Sequence, residues 1–237
     1  MGKLEYIVQK AGDNAYPLHL GVDERREVLV LQECSGKADF DIRLGSGAQL
    51  DLTVISMACS NAGACAEPRN IVNGFKVNLD SENAVCNLNG VYLVDSGNKV
   101  ANKVDMNHNV GHCISNQLFR GILWDSSRSD FEGRIYVAPD AQKTEAYQAN
   151  NNIVESEQAR AHTQPHLEIY ADDVKCSHGA TVGNKESGEL FYMQSRGISL
   201  ANAKVLLKQA FLLGVLEKIS DDDLKEEMSL KILSSLR

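Results

Sequence analysis

The stretch ADFDIRLGSGAQLDLTV, residues 38–54, contains the pattern that decides the fold class. In its first half Phe40, Ile42 and Leu44 alternate with charged side chains, and the alternation resumes at Leu50 after the turn-forming GSG. Apolar residues that recur at every second position, bounded by glycine and serine, are typical of half-buried strands. The stretch therefore predicts two short strands joined by a tight turn.

Further runs of the same kind follow along the chain, and no convincing helix separates them between residues 27 and 182. A chain of strands without intervening helices excludes the alternating strand–helix folds with a parallel sheet. It leaves a sandwich, a barrel or a stacked solenoid. The later runs are GFKVNLD (74–80), CNLNGVYLV (86–94), RIYV (134–137) and HLEIY (166–170).

Asparagine is concentrated in the middle of this region, where residues 83–116 contain eight of them. Side-chain amides stack well between successive coils of a solenoid, as they do in cross-β structures. No strict hexapeptide or nonapeptide repeat accompanies them. Composition and pattern alone therefore leave the solenoid and the sandwich equally open.

The composition changes near Ser199, since 17 of the 18 glycines and all four prolines precede it. Ser199 can cap a helix through KVLLKQAFLLGVLEKI (204–219), and Ser220 or Asp221 can cap a second one through LKEEMSLKILSSL (224–236). We therefore predict a β-rich domain over residues 1–198 and a helical segment over residues 199–237.

The first of these helices is apolar around most of its circumference, which predicts burial on two sides. One side would pack on the chain's own core, and the other is a candidate for a partner protein. A position between the β region and the last helix explains the pattern equally well. The candidate docking residues are Val205, Leu206, Phe211, Leu212, Leu213 and Leu216.

Charge and hydropathy exclude several classes of function. With 24 basic and 32 acidic side chains the formal net charge is −8, which argues against a nucleic-acid surface. No apolar run reaches the 18 residues that a membrane span needs, and the polar start is unlike a signal peptide. Six cysteines without a CxxC pair are too sparse for a disulfide scaffold. We expect a cytoplasmic protein with reduced thiols.

The sharpest candidate site lies in ADDVKCSHGATVG, residues 171–183. Residues two apart on a strand face the same way, so Cys176 and His178 point together. A thiolate and an imidazole on one face can both reach an iron or zinc ion. Their neighbours on that face are apolar, which predicts a core or a lumen. A buried cysteine beside a core histidine remains the alternative from spacing alone.

The remaining candidates carry weaker signals. Gly179, Gly183 and Lys185 do not have the spacing of a phosphate-binding loop, so the chain is not expected to hydrolyse nucleotide. No G-x-S-x-G elbow is present, and we expect no enzymatic activity. The other histidines and cysteines that sit close together are interpreted as structural: His108, His112 and Cys113, His162 and His166, and Cys59 and Cys65.

Four long blocks, in order, resemble the SufB/SufD family of iron–sulfur cluster assembly proteins. The blocks begin VDMNHNVGHC (104–113), DFEGRIYVAP (130–139), HLEIYADDVKCSHGATVG (166–183) and ELFYMQSRGISL (189–200). The resemblance extends over about residues 20–237, and the form KCSHGATVG is closer to the SufD branch. It implies a right-handed parallel β-helix followed by a short helical segment.

The resemblance also implies partners and a role. Family members form a complex with the ABC-type ATPase SufC, which docks on the C-terminal helices, and SufD pairs with SufB or with itself through the β-helix. By match, His178 takes part in building a transient cluster opposite a SufB cysteine, with Cys176 beside it. We therefore expect a non-catalytic scaffold without a cofactor of its own. The alternatives are a β-helix carbohydrate-active enzyme or an inert interaction module.

One departure from the family concerns the start of the chain. Family members usually carry a substantial segment before the β-helix, whereas alternating strands begin here almost at once. We expect the sequence to be a fragment or a trimmed form.

Overall fold

The structure, a computed structural model, describes residues 4–59, 68–183 and 188–236. In these residues 13 strands are followed by three helices. The strands are β1 (Glu5–Gln9), β2 (Asn14–Leu20), β3 (Arg25–Gln32), β4 (Gly36–Leu44), β5 (Gln49–Ala58), β6 (Asn70–Leu79), β7 (Val85–Val94), β8 (Lys99–His108), β9 (Ile114–Leu123), β10 (Arg128–Val137), β11 (Glu145–Val154), β12 (Arg160–Ile169) and β13 (Lys175–Gly183). The helices are α1 (Gly188–Ser195), α2 (Leu200–Leu216) and α3 (Asp222–Ser235).

Odd- and even-numbered strands form two separate parallel sheets. The odd sheet runs in the order β1-β3-β5-β7-β9-β11-β13, and the even sheet in the order β2-β4-β6-β8-β10-β12. Each strand pairs with the strand two further along the chain, so each coil of the backbone contributes one strand to each sheet. This arrangement is a parallel β-helix, and it confirms the predicted stacking of extended segments.

The coils differ in length, which explains why no strict repeat is visible in the sequence. On the odd sheet Val28 pairs with Leu52, Leu52 with Leu88 and Leu88 with Gln117, which are steps of 24, 36 and 29 residues. The hydrogen-bonded register fixes only the pairing of the strands, so the turns between them can vary in length.

The lumen between the two sheets holds the main hydrophobic core, and aromatic rings stack along it from coil to coil. Tyr16, Phe40 and Phe75 stack with ring centroids 4.8 Å apart at each step. Phe119 contacts Phe75 in an edge-to-face arrangement with centroids 6.0 Å apart, and Phe131 lies tilted against Phe119 at 5.0 Å. Successive coils are thus joined by side-chain packing as well as by backbone hydrogen bonds.

Amide ladders also join the coils inside the lumen. Gln32 Nε2 donates to Asn73 Oδ1 at 2.7 Å, and Asn73 Nδ2 donates to Asn102 Oδ1 at 2.9 Å. Ser56 Oγ donates to Gln32 Oε1 at 2.6 Å. Of the asparagines in residues 83–116, Asn102 belongs to this ladder, so the predicted stacking of amides between coils is confirmed for this residue. The buried polar groups of the ladder satisfy one another.

His108 lies fully buried at the end of β8 and is uncharged at neutral pH. Its Nε2 is 2.8 Å from Ser115 Oγ, and Nδ1 has no hydrogen-bond partner in the structure. Burial lowers the pKa of this imidazole from 6.5 to about 4, because the apolar lumen disfavours the charged ring.

We expect this histidine to make the fold acid-sensitive. Its pKa is lower in the folded than in the unfolded chain, so its contribution to stability is complete above pH 6.5 and is lost as the pH falls towards 4. The free energy of unfolding should drop by about 3 kcal/mol across this range. Urea denaturation of the wild type and of His108→Gln at several pH values measures the difference. Equal pH dependence in both proteins would contradict the assignment.

A second hydrophobic core lies on the outer face of the odd sheet, under α2 and α3. Ser199 caps α2 by accepting from Asn202 N at 3.3 Å, and Asp221 caps α3 by accepting from Leu224 N at 2.9 Å. Both predicted caps are confirmed. The buried residues of this core include Leu29, Leu31, Ile55, Met57, Val91, Leu93, Ile122, Phe211, Leu212, Val215, Met228 and Ile232.

Two expectations need correction. Helical structure begins before Ser199, since α1 spans Gly188–Ser195, a helix that the sequence analysis did not predict. The expectation of reduced thiols is wrong for Cys34, which is disulfide-bonded, whereas Cys59, Cys86, Cys113 and Cys176 are free.

Candidate functional site

The last coil of the β-helix is open at its C-terminal end. β13 pairs with β11 and forms one edge of the odd sheet, while β12 pairs with β10 and forms one edge of the even sheet. Within the described residues no further strand covers either edge. Backbone groups and lumen-facing side chains of this coil are therefore presented to the outside.

His178 and Cys176 share the inward-facing column of β13, as predicted. His178 is in register with Gln148, and Cys176 is in register with Ala146, both of which are buried in the preceding coil. The expectation that this face is enclosed is wrong, because His178 is exposed and Cys176 is only half-buried. The side chains point into the lumen where the lumen ends.

The environment of Cys176 favours the protonated thiol over the thiolate. It packs against the main hydrophobic core, and burial raises the pKa of its thiol, partly offset by a hydrogen bond from the Ala146 backbone. A protonated thiol binds metal only after losing its proton. Of the two side chains, the exposed His178 is therefore the more accessible donor.

Apolar side chains surround the open end. Val182, on the same column as His178, is 47% exposed, and Tyr170 beyond β12 is 60% exposed. Tyr147 and Ile169 are each 37% exposed. Exposed apolar residues next to unpaired strand edges are typical of a protein–protein interface.

A groove of about 610 Å³ leads from this end along the outer face of the odd sheet. It reaches from His178 to Asp51 and Lys218. Asn116 Nδ2 donates to the Asn87 side chain at 2.8 Å, and Asn87 donates to Asp51 Oδ1 at 2.6 Å. The floor is thus a ladder of polar side chains that already satisfy one another.

The other predicted histidines and cysteines do not converge. His112 occupies a turn with φ of 58°, Cys113 is buried and donates to the Ser81 carbonyl, and His108 is bound to Ser115. His162 and His166 are exposed on the outer face of β12, Cys59 is buried, and Cys65 lies outside the described residues. In the part of the chain that the structure describes, no three His, Cys, Asp or Glu side chains are placed to hold one metal ion.

The predicted docking helix is buried on one face and exposed on the other. Leu206 and Leu213 are 44% and 47% exposed on α2 and remain available to a partner. Three of the other candidates are buried in the chain's own core, because this face of α2 packs on the odd sheet: Phe211, Leu212 and Leu216. Val205, the last of the set, is half-buried.

A buried ion pair, which the sequence analysis missed, anchors α2 to the β-helix. Lys208 Nζ lies 2.8 Å from Glu155 Oε2, and the Lys208 side chain is only 4% exposed. Trp124 Nε1 donates to the same oxygen at 2.7 Å, and its ring centroid is 5.6 Å from Lys208 Nζ. The sequence signal was a single lysine inside the apolar run VLLKQAFLL.

Arg120 forms a second anchor on β9. Its guanidinium donates to the Phe211 carbonyl and lies 5.1 Å from the centre of the Phe211 ring. A Cβ at Gly214 would lie 2.9 Å from Arg120 Nη1, so glycine permits this close approach. Burial lowers the pKa of this guanidinium. Both anchors tie α2 to strands near the open end.

The fold and the site together define a class of protein: a parallel β-helix with an open last coil and a helical segment fixed along one sheet. A sequence model of the family described as "SUF system FeS cluster assembly, SufBD core domain" matches residues 41–211, which is more than half of the chain. The chain therefore belongs to the SufB/SufD family, as its sequence blocks suggested.

Individual relatives agree with this assignment. The chain is 38% identical over 154 residues to the iron-sulfur cluster assembly protein SufD of Escherichia coli, which covers 65% of this chain and 36% of that protein. It is 42% identical over 116 residues to an iron-sulfur cluster assembly SufBD family protein of Synechocystis, covering 49% of this chain and 25% of the relative. The aligned part spans about a third of the first of these relatives and a quarter of the second.

No helix among the described residues is both long and apolar enough to cross a membrane.

Proposed function

We propose that this chain is a non-catalytic, SufD-type subunit on which iron–sulfur clusters are assembled. The observation that carries the proposal is the placement of His178, exposed on the lumen-facing column of the last strand. An imidazole at the open end of the β-helix can bind an ion that a second chain also binds. The family assignment and the name of the Escherichia coli relative support this role.

The ligand chemistry fits a cluster that is built and then handed on. Imidazole and thiolate both bind iron, and His178 and Cys176 offer one of each. The described residues place no third acidic, histidine or cysteine side chain with them. The remaining ligands would come from a partner, so that separating the two chains releases the cluster.

A SufB-like subunit or a second copy of this chain would cover the open end. β12 and β13 offer strand edges for pairing, and Val182, Ile169 and Tyr170 offer apolar contact. The partner would thus bury the apolar rim while bringing its own ligands towards His178.

Replacing His178 with alanine should greatly reduce cluster assembly without unfolding the chain, because the ring is exposed. We expect at least a tenfold lower rate of iron and sulfide incorporation in the complex reconstituted anaerobically with SufB- and SufC-like partners. His162→Ala, which removes an exposed imidazole from the outer face of the neighbouring strand, is the matched control. Undiminished assembly by His178→Ala would refute the proposal.

A SufC-like ABC ATPase would dock on the exposed face of α2. Lys208 and Arg120 tie this helix to β9 and to the end of β11, which lies next to β13. Movement of a docked ATPase would therefore be carried through the anchors to the strand beside the candidate site.

Placing charge on the exposed face of α2 should abolish this docking. Because a buried leucine contributes about 1.5–3 kcal/mol, Leu206→Lys combined with Leu213→Lys should weaken ATPase binding by more than tenfold in a titration calorimetry experiment. Leu230→Lys combined with Leu233→Lys makes the same change on the exposed face of α3 and should leave binding intact. Equal binding by both double variants would locate the docking site elsewhere.

The groove beside His178 does not favour a carbohydrate-active enzyme. Glycoside hydrolysis uses two carboxyl groups that flank the scissile bond. Of the described residues lining the groove beside His178, Asp51 alone carries a carboxylate. Its oxygens already accept from Asn87 at 2.6 Å and Gln49 at 3.0 Å.

A further inference from the structure

Gln148 presents an unused acceptor directly beneath His178. The residue is 3% exposed, faces the lumen and is the register partner of His178. Its Nε2 donates to Gln117 Oε1 at 2.7 Å in the preceding coil. Its Oε1 is buried and has no hydrogen-bond partner in the structure. Leaving a buried carbonyl oxygen unsatisfied costs stability, and most buried acceptors in proteins have a hydrogen-bond donor.

The direction of this oxygen follows from the amide geometry. Nε2 and Oε1 diverge from one planar amide carbon, and Nε2 is directed at Gln117 on β9. Oε1 is therefore not the atom that faces Gln117, and the next residue in register with Gln148, on β13, is His178. Neighbouring strands are about 4.8 Å apart, and in-register side chains on one face stack on each other.

The opposite wall of the lumen leaves room for this amide. A Cβ at Gly133, on β10, would lie 2.4 Å from Gln148 Nε2 and 2.7 Å from Oε1. Any larger residue at 133 would push the amide out of the ladder. Gln117, Gln148 and Gly133 together hold the oxygen at the level of the open end.

We propose that Gln148 is a positioning residue whose Oε1 accepts a hydrogen bond from one ring N–H of His178. The inference rests on the proposed function, because it concerns the same site. The imidazole is exposed and in register with Gln148, so rotation about its side-chain bonds would bring a ring nitrogen to the oxygen. Once one ring nitrogen donates, the neutral ring carries its lone pair on the other nitrogen, which then faces the incoming iron.

Such a hydrogen bond would fix both the tautomer and the orientation of the ligand. Partners of this kind are general for metal-binding histidines, and their loss typically lowers metal affinity or activity 10–100-fold. Here the partner is an uncharged amide at the end of a ladder, so it orients the ring without adding negative charge to the site.

The test compares Gln148→Met with Gln117→Met. Methionine preserves length and lumen packing in both variants, but only Gln148→Met removes the oxygen that faces His178. Nitrogen-15 NMR of the histidine-labelled chain reports the tautomer of His178, with its signals assigned by their loss in His178→Ala. We expect Gln148→Met to shift the tautomer populations and to lower the rate of cluster assembly at limiting iron by about tenfold. Gln117→Met frees Gln148 Nε2 but keeps Oε1 in the chain, so both effects should be clearly smaller in this variant.

The outcomes separate this inference from the proposed function. Unchanged His178 signals in Gln148→Met, with assembly still lost in His178→Ala, would overturn the positioning role alone. Equal tautomer shifts in both methionine variants would also overturn it, because they would reflect general loosening of the lumen. Full assembly by His178→Ala would instead overturn the proposed function.

Discussion

Replacing Lys208 with methionine should lower the free energy of unfolding by about 3 kcal/mol, because it leaves the Glu155 carboxylate, which is only 20% exposed, without its cation. The ammonium lies 2.8 Å from Glu155 Oε2, and the lysine side chain is 4% exposed. Trp124 still donates to that oxygen in the variant, but a neutral donor does not balance the charge. Urea denaturation followed by circular dichroism measures the loss.

Two further variants test whether the loss of stability comes from the unpaired charge of Glu155. Lys208→Met combined with Glu155→Gln removes both charges and should recover most of the stability, since an uncharged buried pair leaves no isolated ion. Lys204→Met, on the same helix but less buried, should change stability by less than about 1 kcal/mol. A single Lys208→Met variant as stable as Lys204→Met would contradict the anchoring role.

Asn73→Leu should destabilise the β-helix by about 3 kcal/mol, because it removes the central member of the lumen ladder. The side chain is fully buried, accepts from Gln32 Nε2 at 2.7 Å, and donates to Asn102 at 2.9 Å and to Ser56 at 3.3 Å. Leucine has a similar shape but leaves the buried Asn102 Oδ1 without its donor, at about 1–3 kcal/mol. It also removes one hydrogen bond each from Gln32 and Ser56, which keep their bonds to Gln9 and to each other.

Asn87→Leu provides the matched comparison for this variant. Asn87 belongs to the ladder on the outer face, where it is half-buried and joined to Asp51 and Asn116. Water can replace these hydrogen bonds, so we expect a loss below about 1 kcal/mol. Similar denaturation midpoints for the Asn73 and Asn87 variants would show that the lumen ladder does not hold the coils together.

The fold could be predicted from the sequence as far as the strands themselves. Alternation such as Phe40–Ile42–Leu44 identifies a half-buried strand wherever it occurs, because side chains alternate between the two faces. It does not identify which strands pair. The steps from Val28 to Leu52 and from Leu52 to Leu88 differ by 12 residues, so stacking leaves no fixed period. The resemblance to the family, rather than the periodicity, favoured the β-helix.

The candidate site was predictable in its residues but not in its exposure. The spacing of Cys176 and His178 places them on one face, and the apolar neighbours of that face correctly indicate the lumen. Whether a lumen residue is buried depends on the next coil, which local sequence does not specify. The same reason applies to α2, where Leu212 and Leu213 are equally apolar, yet one is fully buried and the other 47% exposed.

The anchors of α2 escaped prediction because each joins residues far apart in the chain. Lys208 meets Glu155 and Trp124, and Arg120 meets the backbone of Phe211. A charge inside an apolar helix face is a usable signal, since a buried lysine requires a partner. The identity of that partner becomes visible only when the helix is placed on the sheet.

The most direct measurement of the central claim is pulsed EPR of the reduced cluster in the reconstituted complex, with ¹⁵N-histidine in this chain alone. If His178 binds the cluster, the spectrum should contain the hyperfine coupling of one directly bound imidazole nitrogen, and His178→Ala should remove it. A loaded complex without ¹⁵N coupling, or one whose coupling persists in His178→Ala, would contradict the assignment of this histidine as a cluster ligand.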